Sequence, residues 1–133
     1  MTNLDKVFDI AINLMDEQDP VTGETNTADT EEYRYRALDI ANVLCGELYP
    51  YSDTYEWPAD GRRPVCPEVK DYEQWLPLDD VIARTVLPYG LAAHLHLGED
   101  NDKASYFNQR YQELVFTLAQ KRPAMWEDIP PMY

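Results

Sequence analysis

The sequence contains few of the residues on which nucleotide binding and nucleophilic catalysis depend. Its five glycines stand singly and far apart, so none of the usual glycine-rich loops for a phosphate group is present. The two serines, Ser52 and Ser105, lack the neighbouring glycines of a nucleophile elbow. These absences argue against a nucleotide-binding enzyme and against a serine hydrolase.

Cysteine and histidine are equally scarce, with two of each. Cys45 falls on the apolar stripe of a predicted helix, where a thiol usually behaves as a small hydrophobic group. His94 and His96 are two residues apart, a spacing that puts them on roughly opposite sides of a helix instead of on one metal-binding face. A cysteine nucleophile, Cys45 or Cys66, paired with one of these histidines stays open as an alternative. We expect reduced thiols, no metal, no cofactor and no catalytic residue, and therefore no enzymatic activity.

Basic residues are also few: 11 stand against 25 acidic ones, giving a formal net charge of -14. Such a charge repels phosphate backbones and anionic lipid head groups. No apolar run approaches the length that crosses a bilayer, and the first 18 residues lack the basic start of a secretion signal. We expect a soluble protein with no membrane contact and no direct sequence-specific nucleic-acid binding.

The apolar residues that are present predict a mainly α fold, a bundle of about four helices. A chain of 133 residues with 44% hydrophobic residues has the size of one domain with one core. Apolar residues recur at helical spacing in four segments. These segments cover residues 2–17, 33–48, 78–97 and, after an N-cap at Asp100 or Asp102, a stretch that continues to Leu118. Thr27 or Thr30 would cap the second helix, and Pro88 predicts a kink or a break between Arg84 and Pro88.

Two connections and a C-terminal segment complete the prediction. Residues 18–30 contain turn formers and predict a loop. Residues 50–77 hold five prolines among five tyrosines and tryptophans, which predicts an irregular aromatic crossover with a short helical turn around residues 67–75. We expect one helical domain over residues 1–121, followed by an extended Pro-rich tail over residues 122–133.

One stretch of the chain, LPLDDVIARTVLPYGLAAHLHLGEDNDKASYFNQRYQEL, resembles a segment of tailed-phage and prophage head–tail connector proteins, which are also called adaptor or head-completion proteins. The resemblance covers roughly residues 76–118. It implies a helical virion protein that forms a homo-oligomeric ring and contacts portal and tail proteins, located in the virion or in the cytoplasm of the bacterial host. An acidic surface is compatible with a DNA-conducting ring, because it does not retain the duplex.

The C-terminal tail is the predicted contact surface. Aromatic and apolar side chains in a proline-rich stretch are suited to lie across a neighbouring subunit. The residues that we expect there are Trp126, Ile129, Pro130 and Tyr133. The alternative to a connector is an acidic inhibitor that mimics DNA, or another small acidic protein-interaction module.

Overall fold

The computed structural model describes residues 1–120, and the predicted extended tail lies outside the described residues. The described part is mainly helical, as predicted, and contains no strand beyond an isolated bridge between Asn3 and Trp75. Its five α-helices are α1 (Leu4–Met15), α2 (Glu31–Leu48), α3 (Asp80–Thr85), α4 (Leu87–His96) and α5 (Asn101–Gln120). Short 3-10 turns lie at Ala28–Thr30 and Tyr49–Tyr51. The predicted bundle of about four helices is confirmed, with the third one divided in two.

The division between α3 and α4 confirms the predicted break at Pro88. Helix α3 ends at Thr85, and Pro88 stands in the first turn of α4, where a missing N–H group costs least. The carbonyl of Val86 accepts hydrogen bonds from the N–H groups of Tyr89 and Gly90, so the new helix begins directly after the break. The break separates the short α3 from α4, which contacts all the other helices.

Helix α4 is the central helix, and α1, α2 and α5 all pack against it. Its buried residues cover most of its circumference: Leu87, Pro88, Gly90, Leu91, Ala92, Ala93, Leu95 and His96. The outer helices instead bury one stripe each, which on α1 consists of Leu4, Val7, Phe8, Ala11, Ile12 and Met15. The third helical segment therefore packs on more than one side, as its apolar residues around most of the helix require.

At Gly90, side chains from α2 and α5 both pack closely against the backbone of α4. A Cβ atom at this position would lie 2.8 Å from the Tyr111 ring of α5 and 3.1 Å from the Leu44 side chain of α2. Gly46, in contrast, lies in α2 with no other group within 4 Å of a Cβ atom. Gly90 is therefore in a crowded position, whereas Gly46 has room for a side chain.

We expect Gly90→Ala to lower the free energy of unfolding by about 1 kcal/mol, because overpacking outweighs the gain in helix propensity. Gly46→Ala is the matched control and should raise it by about 0.5–1 kcal/mol, because only the propensity changes. Urea denaturation of both variants measures the difference. Equal stabilisation by the two substitutions would contradict the close approach at Gly90.

Of the predicted helix caps, the one before α5 is confirmed, whereas Thr30 stands at the N-cap position of α2 without a capping hydrogen bond from its side chain to that helix. The hydroxyl of Thr30 instead accepts from the N–H of Thr27 and donates to the carbonyl of Thr25, within the 3-10 turn that precedes α2. Gly98 follows α4 in the left-handed conformation, with φ of 92°. The Asp100 carboxylate accepts from the N–H of Lys103 at 3.1 Å and caps α5.

The crossover between α2 and α3 is irregular, as predicted, but the helical turn expected around residues 67–75 is wrong. Residues 71–74 form bends instead. The Asp71 carboxylate accepts hydrogen bonds from the N–H groups of Glu73 and Gln74, and the Gln74 side chain bonds the backbone of Lys70 and Glu68. These side-chain bonds satisfy backbone groups that a helical turn would otherwise pair.

Candidate interaction surface

The four residues that the sequence predicts at an interface, Trp126, Ile129, Pro130 and Tyr133, lie outside the described residues. Their role remains a prediction. The described residues present four other surfaces with uncovered charged or apolar side chains. These surfaces are one end of the bundle, a groove between α4 and α5, a projecting part of the crossover, and the last two turns of α5.

Helices α2 and α5 begin at the same end of the bundle. Tyr33 lies beside His96 and Leu44 lies beside Gly90, so α2 runs antiparallel to α4. The turn over residues 97–100 reverses the chain, and α5 therefore runs antiparallel to α4 and parallel to α2. Both helix starts and the connecting turn carry acids, and we call this region the acidic end: Glu31, Glu32, Glu99, Asp100 and Asp102.

Three of the five acids at the acidic end are engaged within the bundle. Asp100 caps α5, Glu31 accepts a hydrogen bond from the Tyr35 hydroxyl at 2.7 Å, and Glu99 accepts one from the Tyr33 hydroxyl. Burial and the bond to Glu99 both raise the pKa of the Tyr33 hydroxyl, so Tyr33 remains a donor. Glu32 and Asp102 are exposed and form no side-chain hydrogen bond or ion pair with residues 1–120.

The two histidines lie on different sides of α4, as predicted. His94 is exposed, whereas His96 is buried, with its ring parallel to that of Phe107 at 6.0 Å and edge-on to that of Tyr33. Within residues 1–120, no three histidine, cysteine or acidic side chains come together in an arrangement that could hold a metal ion. The aromatic contacts of His96 place it in the core of the bundle.

Cys45 and Cys66 are both free thiols. Cys45 is fully buried on α2, and burial together with the nearby Cys66 raises the pKa of its thiol to about 12. Burial also raises the pKa of the Cys66 thiol. Because the thiolate is the nucleophilic form of cysteine, these environments disfavour nucleophilic chemistry at both sites.

A groove of about 470 Å³ runs between α4 and α5 next to the acidic end. Ala93, Leu97 and Ala104 supply its apolar lining, and Leu97 is 66% exposed. Its polar lining consists of His94, Asn101, Ser105 and Asn108. The combination of an apolar floor with amide and hydroxyl groups at the edges is typical of sites that accept an aromatic side chain.

Residues 56–65 of the crossover project from the bundle, and we call them the arm. All are exposed except the half-buried Pro64. The hydrogen bonds and the ion pair of the arm join arm residues only: Gly61 N–H to the Pro58 carbonyl, and Arg62 to Asp60. Gly61 ends this turn with φ of 75°, a conformation that favours glycine. The arm is therefore held to the body of the protein by its two ends.

An aromatic ladder supports the first end of the arm. The ring centroids of Tyr49 and Tyr55 are 5.1 Å apart, those of Tyr55 and Trp57 are 5.8 Å apart, and both pairs are edge-to-face. Tyr49 is buried, whereas Trp57 is 66% exposed. The ladder thus connects the buried ring of Tyr49 to the solvent-exposed indole ring of Trp57. A tryptophan followed by Pro58 and the Asp60–Gly61 turn is the signal in the sequence that could have identified this feature.

The last two turns of α5 form another uncovered surface. Helix α5 buries only Ala104, Phe107 and Tyr111. Beyond Tyr111 its large apolar residues are half-buried, apart from Phe116, which is 63% exposed. Tyr51 and Phe116 border a shallow hollow here.

Comparison with known proteins places the chain in no established group. No family model, no curated protein and no solved structure matches it. Among residues 1–120 there is no helix with the length and apolar character needed to cross a membrane.

Proposed function

We propose that the chain is a structural subunit of a tailed-phage or prophage virion, a head–tail connector that acts through protein–protein contacts in a ring. The observation that carries this proposal is the arm, which exposes Trp57 and Val65 beside a well-packed helical body. Large apolar side chains that project from a soluble domain are typical of protein-contact sites.

Two further features support a connector. The segment that resembles connector proteins, residues 76–118, coincides with α3, α4 and most of α5, the central part of the bundle. The net charge of -14 suits a subunit beside passing DNA, because acidic surfaces form no lasting phosphate contacts. The chain would thus line or flank a conduit and bind its neighbours through less acidic parts of its surface.

The test is assembly of the purified full-length protein, alone and with the portal protein encoded by the same genome. We expect rings of identical subunits in negative-stain images and a matching oligomer in native mass spectra. A monomer under every condition would contradict a connector. Capture of a DNA-binding protein in competition with duplex DNA would instead favour the DNA-mimic alternative.

A further inference from the structure

We propose that the arm of one copy docks on the acidic end of a second copy. Trp57 enters the groove between α4 and α5, and Arg62 and Arg63 face Glu32 and Asp102. The inference rests on the proposed function, and it names the contact that joins neighbouring subunits. Its partner is another copy of this chain.

The charge distribution favours a second copy as the partner. Two copies with a net charge of -14 each repel one another over most of their surfaces. The arm is an exception, because its two arginines balance Glu56 and Asp60. Arg63 is exposed and has no ion pair or hydrogen bond with any residue in the described part of the chain. A free cation on a neutral projection is suited to approach an acidic surface.

The acidic end offers the complementary charges. Glu32 and Asp102 have no partners of their own among residues 1–120, whereas the neighbouring acids are used in caps and tyrosine bonds. Asp102 directly follows Asn101, which lines the α4–α5 groove. A contact there would therefore combine ion pairs with an apolar recess, the usual composition of an interface with a buried centre and a polar rim.

The groove fits the side chain that the arm presents. An indole ring requires an apolar recess for its faces and an acceptor for its N–H group. Ala93, Leu97 and Ala104 form such a recess, and the side-chain carbonyl of Asn108 can accept the hydrogen bond. Trp57 is the exposed aromatic residue nearest to the arm's arginines in the sequence.

The proposed contact would also allow identical subunits to assemble into a ring. The arm and the groove are different surfaces, so each copy would use one surface toward each neighbour. Such a head-to-tail contact is heterologous, and it generates a closed ring when the rotation between subunits is a simple fraction of a full turn. A contact between two identical patches would stop at a dimer.

A charge exchange in the full-length protein tests the electrostatic part. Arg62→Glu with Arg63→Glu is one variant, Glu32→Lys with Asp102→Lys is the second, and the third combines all four substitutions. We expect about tenfold weaker self-association for each of the first two in sedimentation velocity, and recovery to near the wild-type value for the third. The third variant keeps the net charge of the wild type, so recovery reports pairing and not total charge.

Two controls separate this contact from other effects. Asp39→Lys with Glu73→Lys makes the same charge change as the second variant at exposed positions away from the acidic end, and should not weaken association. Trp57→Ala should weaken association about 30-fold, whereas Trp75→Ala, at another exposed tryptophan, should leave it unchanged. Circular dichroism establishes that every variant keeps its helices.

The inference and the proposed function can fail separately. The inference would be overturned if the Arg62→Glu, Arg63→Glu variant formed rings as well as the wild type. It would also be overturned if the variant with all four substitutions associated no more tightly than the two double variants. Either result would leave the connector proposal standing. A wild-type protein that never self-associates, alone or with portal protein, would overturn both.

Discussion

Replacing Asn42 with alanine is expected to lower the free energy of unfolding by about 3 kcal/mol. The Asn42 side chain donates to the Val69 carbonyl and accepts from the Val69 N–H group, both at 2.8 Å. Val69 is 1% exposed, so both of its backbone groups would lose their partner inside the protein. An unsatisfied buried polar group costs about 1–3 kcal/mol. Urea denaturation followed by circular dichroism measures the loss.

Two variants make the Asn42 prediction specific. Asn42→Asp keeps the acceptor and loses the donor, so we expect a smaller loss of stability than for alanine at neutral pH. Asn13→Ala removes an amide that bonds the Asp9 carbonyl on the exposed side of α1, and should change stability by less than about 0.5 kcal/mol. If Asn42→Ala lowered the free energy of unfolding as little as Asn13→Ala, the crossover would not depend on the two hydrogen bonds between Asn42 and Val69.

The helices could be predicted from the sequence because their determinants are local. The apolar stripe of α1, the cap before α5 and the break at Pro88 each depend on residues within a few positions of one another. Pro88 acts on its own preceding turn, so its consequence does not depend on the rest of the fold. Local patterns of this kind determine where helices begin and end.

The course of the crossover could not be predicted, because distant residues determine it. Val69 is fixed by Asn42, and the Tyr72 hydroxyl donates to the Arg34 carbonyl, 38 residues earlier in the chain. Composition alone predicts a helical turn at residues 67–75. Bonds from α2 to this segment, together with the Asp71 and Gln74 side chains, hold it in another conformation.

The candidate contact surface likewise depends on residues that are distant in the sequence. The sequence identifies the aromatic residues in and next to the crossover, but not how exposed each of them is. Tyr49 is in the core, Tyr72 is half-buried and Trp57 is in solvent. The acidic end exists because α2 and α5 run parallel, which follows from their packing on α4 and not from their own sequences. Net charge predicts an acidic protein, whereas the arrangement of helices concentrates acids at one end.

Arg34→Ala is expected to lower the free energy of unfolding by about 2 kcal/mol. The Arg34 guanidinium lies 3.9 Å from the Tyr72 ring centroid and 5.2 Å from that of Phe8, and it pairs with Asp5 at 2.5 Å. It therefore joins α1, α2 and the crossover at one point. Cation–π contacts and charged hydrogen bonds of a half-buried group contribute about 0.5–2 kcal/mol each, with partial compensation by water. Thermal and urea unfolding measure the loss.

The shape of the guanidinium group, and not only its charge, should account for this effect. Arg34→Lys retains the positive charge but loses the flat surface that stacks on Tyr72, so we expect about half of the alanine effect. Arg62→Ala removes an exposed pair with Asp60 and should cost less than about 0.5 kcal/mol. Wild-type stability of Arg34→Lys would mean that charge alone holds the three segments together. If Arg34→Lys lost as much stability as Arg34→Ala, the whole effect would come from the stacking of the planar guanidinium on Tyr72. This stacking would then hold the crossover and the base of the arm against the bundle.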